Sequence, residues 1–210
     1  RANLAALNVE FDLGFAKASS ITGHQTQRSA SASDLNDGYL LIFPPFLGIT
    51  NIDMSDQTRL DKTTQEFRLV SAPGGSIEWL AGAFFSREKT DGGTLWKPTL
   101  SPTSIFPPGI PLLDNAGIET RWKETSLYGT VVWNVSQALA LTAGARASRN
   151  TLDLATRNAG LLTDGSRSER SSSESPDTYL LAARYKLTSA SSVYARAASG
   201  YRAGGSNPSI

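Results

Sequence analysis

Apolar and polar residues alternate with a period of two along residues 124–149. This period is typical of a β-strand that has one apolar face and one polar face. The alternation breaks at residues 134–137, Asn-Val-Ser-Gln, which are residue types suited to a tight turn. We therefore interpret the stretch as a long β-hairpin with its apolar side chains on one face. Those side chains are Leu127, Val131, Trp133, Val135, Leu139, Leu141, Ala143, Ala145 and Ala147.

Polar side chains occupy the other face of this hairpin, among them Glu124, Thr130, Thr142 and Arg146. A soluble β-sandwich would turn the apolar face toward its core and the polar face toward water. A membrane barrel turns the apolar face toward lipid and the polar face toward its lumen. Both classes give the same alternation, so the rest of the chain has to distinguish them.

The same period of two recurs elsewhere in the chain. The further segments are 7–13, 19–29, 63–71, 77–86, 180–186 and 192–202. In the second of them the apolar face is thin and consists of Ile21 and Gly23. The predicted fold is all-β, an antiparallel up-and-down meander of about eight strands.

Long segments without periodicity alternate with short turns between the predicted strands. The long segments are 31–61, 88–121 and 156–175. Structureless loops longer than about 12–15 residues are uncommon in compact domains. Short turns at one end and long loops at the other are typical of outer-membrane barrels. This rhythm favours a transmembrane β-barrel over a soluble sandwich.

Four aromatic residues of the predicted apolar face lie beside short turns. They are Phe11, Trp79, Trp133 and Tyr185. Aromatic side chains concentrate where a membrane barrel meets the interface between hydrocarbon and water. We therefore expect these residues to form an interfacial aromatic girdle at the end of the short turns.

The amino-acid composition bears on the possible partners, covalent links and membrane segments of the chain. The 210 residues carry a formal net charge of +1, which gives no indication of a nucleic-acid partner. The absence of cysteine excludes disulfides and thiolate metal sites. No apolar run approaches the ~20 residues that a membrane helix needs. No signal peptide is recognisable and the chain begins inside a predicted strand, so we expect a fragment with both ends cut.

Four segments resemble the barrel of TonB-dependent outer-membrane receptors of the siderophore-receptor type. They are 63–71, 73–88, 126–148 and 192–209, and they occur in the order that the family has. Residues 144–146, Gly-Ala-Arg, are similar to a glycine-x-arginine strand signal of that family. Residues 200–205 are similar to its Gly-Tyr-Arg-x-Gly-Gly segment. Together the resemblance covers nearly the whole chain.

The resemblance implies import of a ferric siderophore or a similar scarce nutrient across the outer membrane of a Gram-negative bacterium. The family has barrels of about 22 strands that enclose a plug domain. Its energy comes from the TonB complex, which acts on an N-terminal region. We expect residues 1–210 to be partial barrel wall in contact with outer-membrane lipid, without plug domain, signal peptide or C-terminal strand. Two alternatives stay open, a passive porin-like channel and a secreted β-rich binding or enzyme domain.

Charged residues of the polar face form the first candidate site. Glu66 and Arg68 share a face and are expected to pair with Arg146 or Glu78 on neighbouring strands. We interpret Glu66, Arg68 and Arg146 as lumen-facing charges, with a role in a substrate path as the alternative. His24, the only histidine, is expected to face the lumen as well, because no further metal ligands cluster near it.

Aromatic residues in the predicted outer loops form the second candidate site. They are Tyr39, Phe43, Phe46, Trp96, Phe106 and Trp122. Flat rings in an outer loop can stack on a ligand or pack the loops against one another. Tyr39, Phe43, Trp96 and Phe106 are the candidate ligand contacts.

Catalytic chemistry finds no support in the sequence. The serines at 171–173 have no base or orienting partner beside them, and the glycines near the C-terminus lack the spacing of a phosphate-binding loop. We therefore expect no enzymatic activity, no cofactor and no metal site in this chain.

Single-cysteine variants at odd and even positions of the hairpin test the membrane interpretation. We expect a lipid-soluble thiol probe to label position 131 or 141 of the full-length protein in membranes far more than position 130 or 142. The physical reason is that only the apolar face touches lipid. Equal labelling of odd and even positions would contradict the barrel.

Overall fold

A single antiparallel sheet makes up the described part of the chain. The computed structural model describes residues 1–35, 38, 41, 43, 47–102, 112–163 and 165–202. Within these residues no helix is long and apolar enough to cross a bilayer. The strands are β1 (Ala2–Asp12), β2 (Ala16–Asp34), β3 (Ile49–Ser71), β4 (Ile77–Leu100), β5 (Asp114–Asn134), β6 (Leu139–Ala159), β7 (Arg167–Glu174), β8 (Asp177–Lys186) and β9 (Ser192–Ala198).

Each strand pairs with its neighbour in sequence, which is the topology of an up-and-down meander. β7 and β8 both pair with β6 and keep one register along it, from Asn150 opposite Glu174 to Leu139 opposite Tyr185. The interruption falls at Pro176, which has no backbone N–H to donate to the ladder. Pairing continues through its carbonyl, which accepts a 3.0 Å hydrogen bond from the N–H of Ser148. The nine strands thus fill eight positions, as the sequence predicts.

The strands are longer than the sequence pattern predicts, and the long loops are correspondingly shorter. β3 begins at Ile49 and β4 continues to Leu100, well inside the predicted loops. Residues 53–64 of β3 are mostly polar on both faces. A strand that leaves the apolar layer has water on both sides, so it loses the alternation that marks the rest of it. The predicted loop bounds were wrong for this reason.

The two faces of the sheet differ in crowding. On one face, which we call the outer face, Phe67, Leu127 and Leu181 are 50%, 64% and 63% exposed. On the other, the inner face, Ser126 and Asn150 are 1% and 4% exposed. Side chains converge on the concave side of a curved sheet, so the inner face is the concave one. The apolar alternation of the hairpin therefore lies on the convex side, where a barrel meets lipid.

β2 departs from the predicted orientation. Its register pairs Ile21 with Glu66 of the inner face and His24 with Thr63 of the outer face. The His24 Nδ1 lies 3.1 Å from the Thr63 Oγ1. The prediction that His24 faces the lumen was therefore wrong. The outer positions of β2 near its turn are small or polar, Ala18 among them, so the sequence gives no clear apolar face there.

The short connections all lie at one end of the sheet. They are 13–15, 72–76, 135–138 and 187–191. The predicted girdle residues lie on the outer face within a few residues of these turns. Trp133, for example, pairs with Ile77 and Leu141 and is 52% exposed. Their placement at a membrane interface stays a prediction.

Charge substitutions on opposite faces of β5 test the assignment of the faces. In the full-length protein in lipid, Val131→Arg should lower the free energy of unfolding by about 2–4 kcal/mol if it lies near the bilayer midplane. Thr130→Arg, the matched control on the inner face, should cost much less because water or polar groups solvate the charge. Urea unfolding in lipid vesicles measures both. Equal losses would show that the two faces do not differ in environment.

Candidate functional site on the inner face

An ion pair on β3 is the first part of a polar cluster. Arg68 donates from Nε to Glu66 Oε1 at 2.9 Å and from Nη2 to Glu66 Oε2 at 2.9 Å. The two residues are two positions apart, so the strand period places them on one face. The hydroxyl of Tyr128 of β5 donates a hydrogen bond to Glu66 Oε1, the oxygen that also accepts from Arg68 Nε. Arg68 Nε lies 3.2 Å from the Tyr128 hydroxyl oxygen. The bidentate geometry fixes the direction of both charges.

Gly82 allows Tyr128 to reach β3 across the intervening strand. It is the direct cross-strand partner of Tyr128 on β4. A Cβ at this position would lie 2.5 Å from the Tyr128 hydroxyl oxygen and 2.9 Å from the carbonyl oxygen of Phe67. The ring therefore occupies the space that a side chain would fill. Glycine here is required by a close approach rather than by a positive φ angle.

Arg146 of β6 holds the second part of the cluster. Its Nη2 donates to Glu124 Oε1 at 2.6 Å and to Ser126 Oγ at 3.0 Å, and its Nε donates to Ser148 Oγ at 3.2 Å. Its Cζ also lies 5.7 Å from the centroid of the Tyr128 ring, within the range of a cation–π contact. Tyr128 thus joins the two ion pairs into one network that spans β3 to β6.

Exposure within the cluster is uneven. The carboxylate side chains of Glu66 and Glu124 are 17% and 21% exposed, while those of Arg68 and Arg146 are 42% and 39% exposed. The formal charges cancel, but each pair presents mainly its guanidinium to the space in front of the wall. Planar guanidinium groups bind carboxylates, phosphates and other anionic oxygens. The arrangement is thus suited to holding or guiding an anionic group rather than to catalysis.

The sequence predicts the members of this cluster better than its pairs. Glu66, Arg68 and Arg146 do lie together on the inner face. Arg146, however, pairs with Glu124, whereas Glu78 contacts the N–H of Gly74 at 3.0 Å. The predicted pairing was wrong because Glu66 and Arg146 lie on strands three positions apart, about 14 Å at the usual strand spacing.

Sequence reasoning missed Tyr128 and Gly82. The parity of Tyr128 matches that of Glu124 and Ser126, so alternation alone places its ring on the polar face. The role of Gly82 follows only from the register between β4 and β5, which the sequence does not reveal.

The aromatic residues predicted to lie in outer loops are found partly in strands and partly outside the described residues. Trp96 lies within β4, and it packs with Phe43 against Ile52 and Leu113, which are fully buried. Trp122 lies within β5. Tyr39, Phe46 and Phe106 fall outside the described residues. Contact of any of these rings with a ligand stays a prediction. In the described part of the chain, no group of three or more His, Asp or Glu residues could hold a metal ion.

The family model described as TonB dependent receptor-like, beta-barrel, matches residues 1–210. No curated protein sequence matches the chain. The fold is similar to the ferric yersiniabactin uptake receptor FyuA from Yersinia pestis, with a TM-score of 0.74 and 15% identity. That match covers 93% of this chain and 27% of FyuA.

Two further solved structures are similar to the chain. The ferric-catecholate import receptor Fiu from E. coli K12, in its open form, has a TM-score of 0.67 and 17% identity over 94% of this chain and 35% of Fiu. The siderophore receptor PiuA from Acinetobacter baumannii has a TM-score of 0.61 and 15% identity over 92% of this chain and 31% of PiuA. The chain therefore spans about a third or less of the length of these proteins.

Alanine at Gly82 tests the packing that supports the cluster. Gly82→Ala should displace the Tyr128 ring and cost about 1–3 kcal/mol of stability, as overpacking does. Gly129→Ala is the matched control, because a Cβ there meets only the Leu80 carbonyl oxygen at an ordinary 3.4 Å. Urea unfolding of the full-length protein in detergent micelles measures the difference. If Gly82→Ala were as well tolerated as Gly129→Ala, the ring would not depend on the glycine.

Proposed function

Because the chain belongs to the TonB-dependent receptor β-barrel family, we propose that it forms part of the wall of a receptor that imports a ferric siderophore or a similar scarce nutrient. Barrels of this family are outer-membrane proteins of Gram-negative bacteria, and the family consists of receptors and transporters rather than enzymes. In this proposal the chain lies in the outer membrane, with lipid on its outer face. The family match over residues 1–210 is the observation that carries the proposal.

The substrate class rests on two supports. The similar structures are named as receptors for ferric yersiniabactin, ferric catecholates and siderophores. The inner face adds a chemical argument, since the guanidinium groups of Arg68 and Arg146 are the more exposed members of their ion pairs. Carboxylate- or catecholate-bearing ferric chelates carry anionic oxygens that such groups attract.

The inner-face cluster has a second role in this proposal. A receptor of this family encloses a plug domain, and the wall that faces the plug has to keep its charges in fixed places. Carboxylates held by Arg68, Tyr128 and Arg146 meet that need, because each charge is anchored from more than one strand. In this proposal the energy-coupling partner is the TonB complex.

Iron uptake by the full-length receptor tests the proposal. Cells that lack the protein should fail to accumulate radiolabelled iron from at least one class among catecholate, hydroxamate and citrate chelates. The plasmid-borne gene should restore uptake only while the inner membrane is energised and TonB is present. Uptake that persists without TonB would support a passive channel instead.

Neutral variants test the inner-face cations in the same assay. The double variant Arg68→Gln, Arg146→Gln should lower uptake severalfold at equal receptor abundance, because both guanidinium groups face the transport path. The matched control, Arg28→Gln with Arg59→Gln, should leave uptake unchanged, because it removes the same charge from the outer face of the sheet. Unchanged uptake in the double variant would remove the cluster from the transport path.

A further inference from the structure

Three cations form a cluster on the outer face, above the apolar layer. Arg87 of β4 and Lys123 of β5 are direct cross-strand partners. Arg149 of β6 is the partner of Thr125, which places it diagonally beside Lys123. Direct partners have Cβ atoms about 4.5–5.5 Å apart, and diagonal ones are about 7–8 Å apart. All three side chains are exposed. We call them the basic cluster.

The basic cluster lacks counterions of its own. Among the described residues, none of its three side chains has an ion pair or a hydrogen bond. Like charges placed directly opposite each other on a sheet are destabilising. Asp177 of β8, the cross-strand partner of Ala147, lies diagonally beside Arg149 on the outer face but forms no ion pair with it among the described residues. The other nearby carboxylates of the outer face are in the next row of side chains, on the side of the long loops. There Asp61 lies opposite Lys89, and Asp153 lies opposite Arg121.

The rows further from the apolar layer carry no excess of positive charge, in contrast to the basic cluster. The next row consists of Thr26, Asp61, Lys89, Arg121 and Asp153, with two acids and two bases. The row after it consists of Arg28, Arg59, Asp91, Glu119, Ala155 and Glu169, with two bases and three acids. Ion pairs within and between these rows include Arg121 with Glu119 at 2.6 Å. Among these rows, the excess of positive charge therefore lies at the boundary of the apolar layer.

The surroundings of the basic cluster identify the kind of anion that would neutralise it. Toward the short turns, the outer face of β4 to β6 continues with the apolar residues Phe85, Ala83, Leu127 and Ala147 and with the uncharged Thr125. An anion bound here would have hydrocarbon on one side and water on the other. A lipid headgroup has this character, because its phosphate is attached to acyl chains. A small free anion gains nothing from the apolar side.

We propose that Arg87, Lys123 and Arg149 bind the phosphates of a lipid headgroup in the outer leaflet. This inference rests on the proposed function, because it needs the outer face to lie in the outer membrane with the short turns in the periplasm. The three cations lie on adjacent strands and span about 10 Å, which matches a headgroup with more than one phosphate. Arginine binds phosphate through two parallel hydrogen bonds, and lysine adds a compact charge.

The chain offers a matched control for this site. Arg28 and Arg59 are also direct cross-strand partners on the outer face. Arg59, however, has Asp91 as its other partner, and the pair lies two rows beyond Arg87 and Lys123. Replacing each pair by glutamine removes the same charge from the same face, but only one of the two replacements alters the boundary of the apolar layer.

Binding of a bisphosphorylated glycolipid to the full-length receptor in non-ionic detergent tests the proposal. The probe is lipid A in mixed micelles, compared with phosphatidylcholine micelles and with inorganic phosphate. We expect the variant Arg87→Gln, Lys123→Gln to bind lipid A at least about tenfold more weakly than the native receptor. The control Arg28→Gln, Arg59→Gln should bind within about twofold of it. Raising the salt concentration should weaken the native interaction.

Two results of the binding experiment would refute the proposal. Equal lipid A binding by both variants would overturn the site, and equal competition by inorganic phosphate would overturn its assignment to a lipid. Ferric-chelate uptake by the same variants separates this proposal from the function. If uptake is lost in a strain lacking TonB and the variant Arg87→Gln, Lys123→Gln still binds lipid A as the native receptor does, the lipid site is refuted and the transport function is not. A receptor that binds lipid A through these residues but imports no iron chelate would leave the site standing and refute the transport role.

Discussion

The antiparallel register from β2 across β6 to β8, which shifts only between Ile49 and Asn51 at the start of β3, is the constraint on which the rest of this wall depends. A shift of one residue in any strand would move every side chain of that strand to the other face. Leu127 and Val131 would then point into the crowded inner face, and Tyr128 would lose Glu66. One register therefore fixes the positions of the apolar layer, the inner-face cluster and the basic cluster together.

The inner-face cluster illustrates how a polar group is accommodated on a curved wall. Glu66 is held by Arg68 from its own strand and by Tyr128 from two strands away. This second contact exists only because Gly82 leaves room for the ring on the strand between them. Buried carboxylates are costly unless their hydrogen bonds are satisfied. The glycine therefore contributes to the electrostatics of the wall, although it carries no charge.

Alternation along β4 to β6 is strong enough to predict the hairpin, its two faces and the position of Arg146. The sequence is much less informative where the two faces of a strand differ little in polarity. On β2 the outer side chains near Ser20 are small and polar, so the face of His24 cannot be deduced from its own strand. Residues 53–64 of β3 are mostly polar on both faces, which removes the period that would mark them as part of a strand. Pairs such as Arg146 with Glu124 depend on register, and register is a property of two strands at once.

Each end of the sheet presents one strand edge that has no partner among the described residues. β1 pairs only with β2 and β9 only with β8 among the described residues, so each has one edge of unpaired backbone groups. Hydrocarbon offers no water to satisfy such groups, and a sheet persists in a bilayer only when its edges are closed. The chain spans 27% of FyuA, a protein with the same fold over this region. Closure by further strands would also complete the lumen in front of Arg68 and Arg146, so the direction in which those guanidinium groups point becomes meaningful only in the whole barrel.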